Sequence, residues 1–192
     1  MDSEKAASAA PLKWYILGPV VAVVGMVFAL PAMALQEMGY GWYIGPFIAA
    51  PVIEEAAKPA GVYWLLAKKP QALPSQQYTA FLAALAGLSF GIIENLLYLE
   101  VYIPDHSTEL AMWRWTVCLA VHTVCSFIVG WGINQNLVAW VRGEVTLMGG
   151  SRKFFLTAIA LHAAYNIFAY LLETRWEWFP DTAEDWIGMG LF

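Results

Sequence analysis

Charge is what this sequence has least of: only 13% of its 192 residues are Asp, Glu, Lys or Arg, against about a quarter in an average soluble domain. A chain that is 60% hydrophobic and 15% aromatic has too little polar surface to close over its apolar mass in water, which excludes an ordinary soluble core. Basic residues form no stripe interleaved with aromatics, so the electrostatic footprint of a nucleic-acid binder is missing and no nucleic acid is expected as a partner. Cysteine is scarce. Cys118 and Cys125 lie seven apart in one apolar segment, share a helix face and cannot bridge each other along one straight helix, so both read as packing residues. There is no His-Glu-x-x-His zinc motif and no repeat at a fixed period. The first apolar run is too long for the short core of a signal peptide, and it is read as a retained span.

What the chain does have is long apolar runs. A spanning helix needs about 20 mostly apolar residues, and five stretches qualify, at 13–36, 42–67, 78–102, 112–141 and 152–173. The expected fold is therefore all-α, a polytopic membrane helix bundle of about five transmembrane helices. Turn and charge signals separate the spans: Met38-Gly39-Tyr40-Gly41, Lys68-Lys69-Pro70 through Pro74-Ser75, Pro104-Asp105-His106, and Arg142-Gly143 through Gly149-Gly150. Three regions follow: a tail over 1–12, the helical domain over 13–173, and an acidic tail over 174–192 whose Trp176, Trp178 and Trp186 suit the membrane interface. Positive charge is retained on the cytoplasmic side, and Lys5, Lys13, Lys68, Lys69, Arg142, Arg152 and Lys153 all fall on one set of loops, against Arg114 and Arg175 on the other. That places the N-terminus in the cytoplasm and the chain in the cell membrane, plasma or inner, as a multi-pass protein.

The few charges that lie inside the spans are the informative ones, because an ionised side chain at mid-bilayer costs about 2.5–3.5 kcal/mol on insertion scales. They are Glu54, Glu55, Lys58, Glu94, His122 and His162. At about 1.5 Å per residue, Glu55 lies roughly 20 Å from the outer end of its span, Glu94 roughly 12 Å, His122 roughly 15 Å and His162 roughly 16 Å. Four helices thus bring polar groups to one layer. Glu54 stands one turn before Lys58, the favourable order for an ion pair, while Glu55 points about 100° around the helix. Two carboxylates this close in a low dielectric cannot both ionise cheaply, which suits one of them to accept a proton as a general base. Pro59 frees the carbonyl of Glu55 and loosens the helix there. Glu94 stacks one turn from Tyr98, which is placed to hold that carboxylate, and the pattern His-x-x-x-polar occurs twice, as His122 with Ser126 and His162 with Asn166. Each group also has a bland reading, as a packing ion pair or an interhelical hydrogen bond. Gly87-Leu88-Ser89-Phe90-Gly91 matches the serine-hydrolase elbow, yet that elbow needs a strand-to-helix turn; in mid-helix the glycines read as a close helix contact.

Taken in order, Glu54-Glu55-x-x-Lys58, Phe90-x-x-x-Glu94-Asn95-x-x-Tyr98, His122-x-x-x-Ser126 and His162-x-x-x-Asn166 resemble the motifs of the PrsW family of intramembrane proteases, which sits with the CAAX prenyl endopeptidases and bacteriocin-immunity proteins in a wider superfamily. The resemblance spans about 130 residues, over spans two to five. It implies cleavage of a single-pass membrane protein, of the anti-sigma-factor, site-1 kind. In that setting Glu54 or Glu55 activates a water with help from His162, Lys58 tunes their charge, Asn166 and His122 donate to the oxyanion, and Glu94 and Tyr98 orient the histidines, with Asn95 and Ser126 in support. No cofactor is needed. A rival within the enzyme class is a zinc protease with His122, His162 and Glu55 as ligands. Outside it stand a proton-coupled transporter or channel with a Glu/His relay, and a non-catalytic scaffold that keeps its polar layer for folding. The bilayer and the membrane substrate are the expected partners, with the oligomeric state open.

Overall fold

The computed structural model describes residues 12–31 and 45–177, which are helical throughout apart from short connections and contain no strand. The tail before residue 12, the Met38-Gly39-Tyr40-Gly41 break, and Trp178 and Trp186 of the acidic tail lie outside the described residues, while the backbone at Trp176 continues the last helix.

Four unbroken helices among the described residues are long and apolar enough to cross a membrane: α1 over Leu12–Pro31, α4 over Gln76–Tyr102, α5 over Thr108–Gly132, and a last span over Gly149–Leu172 that lies largely within α7, Arg152–Glu177. The expected second span is a broken helix instead. After a wide turn at Gly45–Ala49 it forms α2 over Ala50–Ala57 and α3 over Ala60–Lys68, parted at Lys58–Pro59. Proline has no N–H to return to the carbonyl of Glu55, so the ladder stops, with Lys58 N still bonded to Glu54 O at 2.8 Å and α3 restarting on Pro59 O. The expected fourth span also ends early, at Gly132. Asn134 turns its side chain onto Asn136 N at 2.9 Å and caps a separate short helix, α6, over Gln135–Val141.

Serines start the two central spans in the usual way: Ser75 accepts from Tyr78 N at 3.1 Å, and Ser107 from Leu110 N at 3.2 Å. α4 and α5 then pack along each other, joined at one end by Gln76 Nε2, which donates to Gly130 O at 2.8 Å and so satisfies a carbonyl at the end of α5. The elbow-like segment lies inside α4. Ser89 donates back to Leu85 O at 2.8 Å, and a Cβ at Gly87 would run into Ser126 Oγ and, at 2.5 Å, the carbonyl of His122. The glycine thus serves close helix approach, as read from the sequence.

Candidate active site

α2 delivers Glu54 and Glu55 together, and the break behind it leaves Lys58 at its very end. All three are buried, with Glu55 and Lys58 at 0% exposure. The ammonium of Lys58 donates to Glu55 Oε1 at 2.8 Å and reaches Glu54 Oε2 at 3.0 Å. It also lies 2.8 Å from His122 Nδ1 and 4.4 Å from the centroid of the Phe90 ring. An ammonium has no lone pair, so His122 Nδ1 is the acceptor and the proton of the ring sits on Nε2. There it meets Glu94 Oε2 at 2.6 Å.

α7 supplies His162, whose Nδ1 lies 2.9 Å from Glu55 Oε1. A carboxylate only accepts, so Nδ1–H donates, and the second ring nitrogen is turned toward Glu54. Glu54 Oε2 stands 3.9 Å from His162 Nε2 and 4.0 Å from His122 Nδ1, too far for direct hydrogen bonds. The two imidazoles meet edge to face at 5.0 Å between centroids. Ser126 completes the floor, with Oγ 3.5 Å from Glu55 Oε2.

The structure therefore brings together Glu54, Glu55, Lys58, Glu94, His122, Ser126 and His162, from four segments of the chain. Asn166 lies one turn along α7 from His162 and is half-buried. Asn95 and Tyr98 turn elsewhere: Asn95 Nδ2 donates to the main-chain oxygen of Arg114 at 2.7 Å, and the Tyr98 ring carries the Arg114 guanidinium 3.8 Å above its centroid. Arg114 itself entered the sequence reading only as a loop charge; its position inside α5 and its contact with Glu94, at 3.8 Å, are products of tertiary packing. Cys118, read as packing, offers its sulfur within 4.8 Å of donor atoms of Glu94 and His122.

Buried carboxylates and imidazoles thus converge inside a helical bundle whose spans are long and apolar enough to cross a membrane. Residues 10–180 match the PrsW family of intramembrane metalloproteases, and the chain belongs to that family; it is a multi-pass membrane protease. No curated protein and no solved structure matches it.

The family's description as metalloproteases sets zinc above the expectation of no cofactor. Glu54, His122 and His162 each offer one donor atom, all within 4.8 Å of one another, and two imidazole nitrogens with one carboxylate oxygen are the donor chemistry of a catalytic zinc. The residues fit such an ion. The carboxylate of the set is Glu54 where the sequence reading named Glu55, because Glu55, about 100° around α2, is engaged by Lys58 and His162 Nδ1.

Proposed function

We propose that this protein hydrolyses a peptide bond of a single-pass membrane protein, an anti-sigma-factor-like substrate cut at a first site, with a water activated by Glu54. The observation that carries the reading is the spacing between Glu54 Oε2, which Lys58 reaches at 3.0 Å, and the two imidazoles, 3.9 Å to His162 Nε2 and 4.0 Å to His122 Nδ1. Separations beyond hydrogen-bond reach between polar groups are those a water bridges. A water there donates one hydrogen bond to the Glu54 carboxylate and one to the His162 lone pair, and gives a single proton to Glu54 as its oxygen lone pair attacks a carbonyl.

Glu55 anchors rather than reacts. Its oxygens face Lys58, His162 and Ser126, so it holds His162 with Nε2 toward the water. Lys58 lets two neighbouring carboxylates coexist in a dry site. Both ring nitrogens of His122 face partners within the cluster, and the donor to the developing oxyanion that the resemblance implies is Asn166, one turn along α7 from His162, a role commonly worth a few kcal/mol.

A second reading is favoured by the Glu54–His122–His162 grouping: zinc held by these three side chains would polarise the scissile carbonyl and lower the pKa of the attacking water. In that case Glu94, on the far nitrogen of His122, is the carboxylate that orients a ligating histidine.

The topology proposed with this function puts the N-terminus in the cytoplasm of a cell-membrane protein. It is supported by the gathering of basic segments at one end of the bundle. There Tyr78 OH donates to Trp14 O beside Lys13, Gln76 reaches Gly130, and Ser151, next to Arg152, bonds Asn134.

The test is cleavage of a tagged single-pass substrate by purified protein in liposomes. Glu54→Gln is expected to lower the rate by at least about a hundredfold, the scale of a lost general base, and His162→Ala to do likewise. Retained cleavage in Glu54→Gln overturns the reading. Indifference to a chelator supports the glutamate alone; loss restored by added zinc supports the metal.

A further inference from the structure

The motif Glu94-Asn95-x-x-Tyr98 gives one residue to the cluster and two to an arginine outside it. Asn95, fully buried, fixes the backbone of Arg114 through its carbonyl at 2.7 Å. Tyr98 supports the face of the guanidinium at 3.8 Å. Glu94 Oε2, the atom that meets His122 Nε2, faces Nη2 at 3.8 Å. Backbone, face and edge of one arginine are thus held by three residues within two turns of α4.

The local fold of α5 explains how Arg114 reaches this place. In a regular helix, residues eight apart such as Arg114 and His122 point about 80° away from each other. Here Arg114–Cys118 forms a wide π turn. The extra residue it absorbs makes the separation behave as seven, which brings the two side chains to within about 20° of one face. Such insertions disrupt the helix ladder and are common at functional sites. Arg114 is only 13% exposed at its side chain, and burying an arginine within a membrane span is costly, so packing alone gives no reason for it.

We propose that Arg114 is a positioning residue of the active site, acting through Glu94 on His122. The Glu94 side chain is 12% exposed, and the guanidinium on its flank holds it inward, 2.6 Å from His122 Nε2. That contact orients the ring and leaves Nδ1 facing Lys58 and Glu54. Glu94 therefore orients the histidine, as the resemblance implied, while Tyr98 acts one step further out, on the arginine.

The proposal deepens the functional reading and rests on it for its kinetic arm alone, because the state of His122 is observable without substrate. In protein labelled with ¹⁵N-histidine, the Nε2–H resonance of His122, assigned by its loss in His122→Gln, lies far downfield in the wild type. It moves upfield in Arg114→Gln and returns part of the way in Arg114→Lys. In cleavage, Arg114→Gln lowers kcat by about 10- to 100-fold with KM within about twofold. An unmoved resonance in folded Arg114→Gln overturns the proposal, as does a raised KM at constant kcat, which marks a substrate contact instead. Should Arg114→Gln not fold, Tyr98→Leu keeps the charge and removes its support: a smaller shift in the same direction is expected, and no shift overturns the proposal. A shifted resonance in a protein that cleaves no membrane substrate would refute the functional reading and leave the positioning role standing.

Discussion

At the scale of single residues, Lys58 is the charge on which the site depends. Its ammonium lies within 3.0 Å of Glu54, Glu55 and His122 and has no exposure at all. Taking one partner out of a buried ionic group leaves the others uncompensated, at a cost of about 3–5 kcal/mol. Lys58→Met is therefore expected to lower the thermal unfolding temperature clearly in detergent. The double variant Lys58→Met with Glu55→Gln, which removes one charge of each sign, is expected to recover part of that loss. An additive double variant would show that the ion pair does not couple the two residues.

At the scale of elements, the site depends on how closely α4 and α5 approach. Gly87 lies against the very turn of α5 that carries His122 and Ser126, with no space for a Cβ. Gly87→Leu must push the helices apart, at about 1–3 kcal/mol for overpacking, and is expected to abolish cleavage by withdrawing His122 from Lys58 and Glu94. Ser89→Ala serves as its contrast. That hydroxyl is spent on the Leu85 carbonyl, so cleavage is expected to survive its removal. Lost activity in folded Ser89→Ala would revive the serine elbow. The break between α2 and α3 works at the same scale: Pro59 ends the helix where Lys58 must turn to three partners.

At the scale of the whole molecule, the bundle presents one basic end and a buried polar layer within its thickness. With the N-terminus in the cytoplasm, Lys69→Cys and Gly143→Cys in a background without Cys118 and Cys125 are expected to react with an impermeant thiol reagent only from the cytoplasmic side, and Asp105→Cys only from outside. Labelling of positions 69 and 143 from opposite sides would overturn that topology. The chemistry also belongs to the assembled molecule, since α2, α4, α5 and α7 each contribute what no one helix holds: paired carboxylates, an orienting carboxylate, and a histidine from each of two spans.

The sequence by itself determined the class of protein, because apolar runs of spanning length force a helical membrane bundle and every charge inside them carries a cost that function must offset. It also marked Glu54, Glu55, Lys58, Glu94, His122 and His162, since each is an exception within an apolar run and the spacing along a helix sets which neighbours share a face. Tertiary structure alone decided the rest. Spacing along one helix says nothing of distances between helices, so only the packed bundle sets Glu54 toward both histidines and Glu55 against Lys58 and His162. Hydropathy averages over windows, so the early end of α5 at Gly132, a local hydrogen-bonding event, was hidden inside an apolar run, while the loosening at Pro59 was legible and only its extent, a full break between α2 and α3, came from the fold. Arg114 counted in the sequence only as a loop charge that sets orientation; the wide turn that directs it to Glu94 is a backbone feature with no signature in residue type.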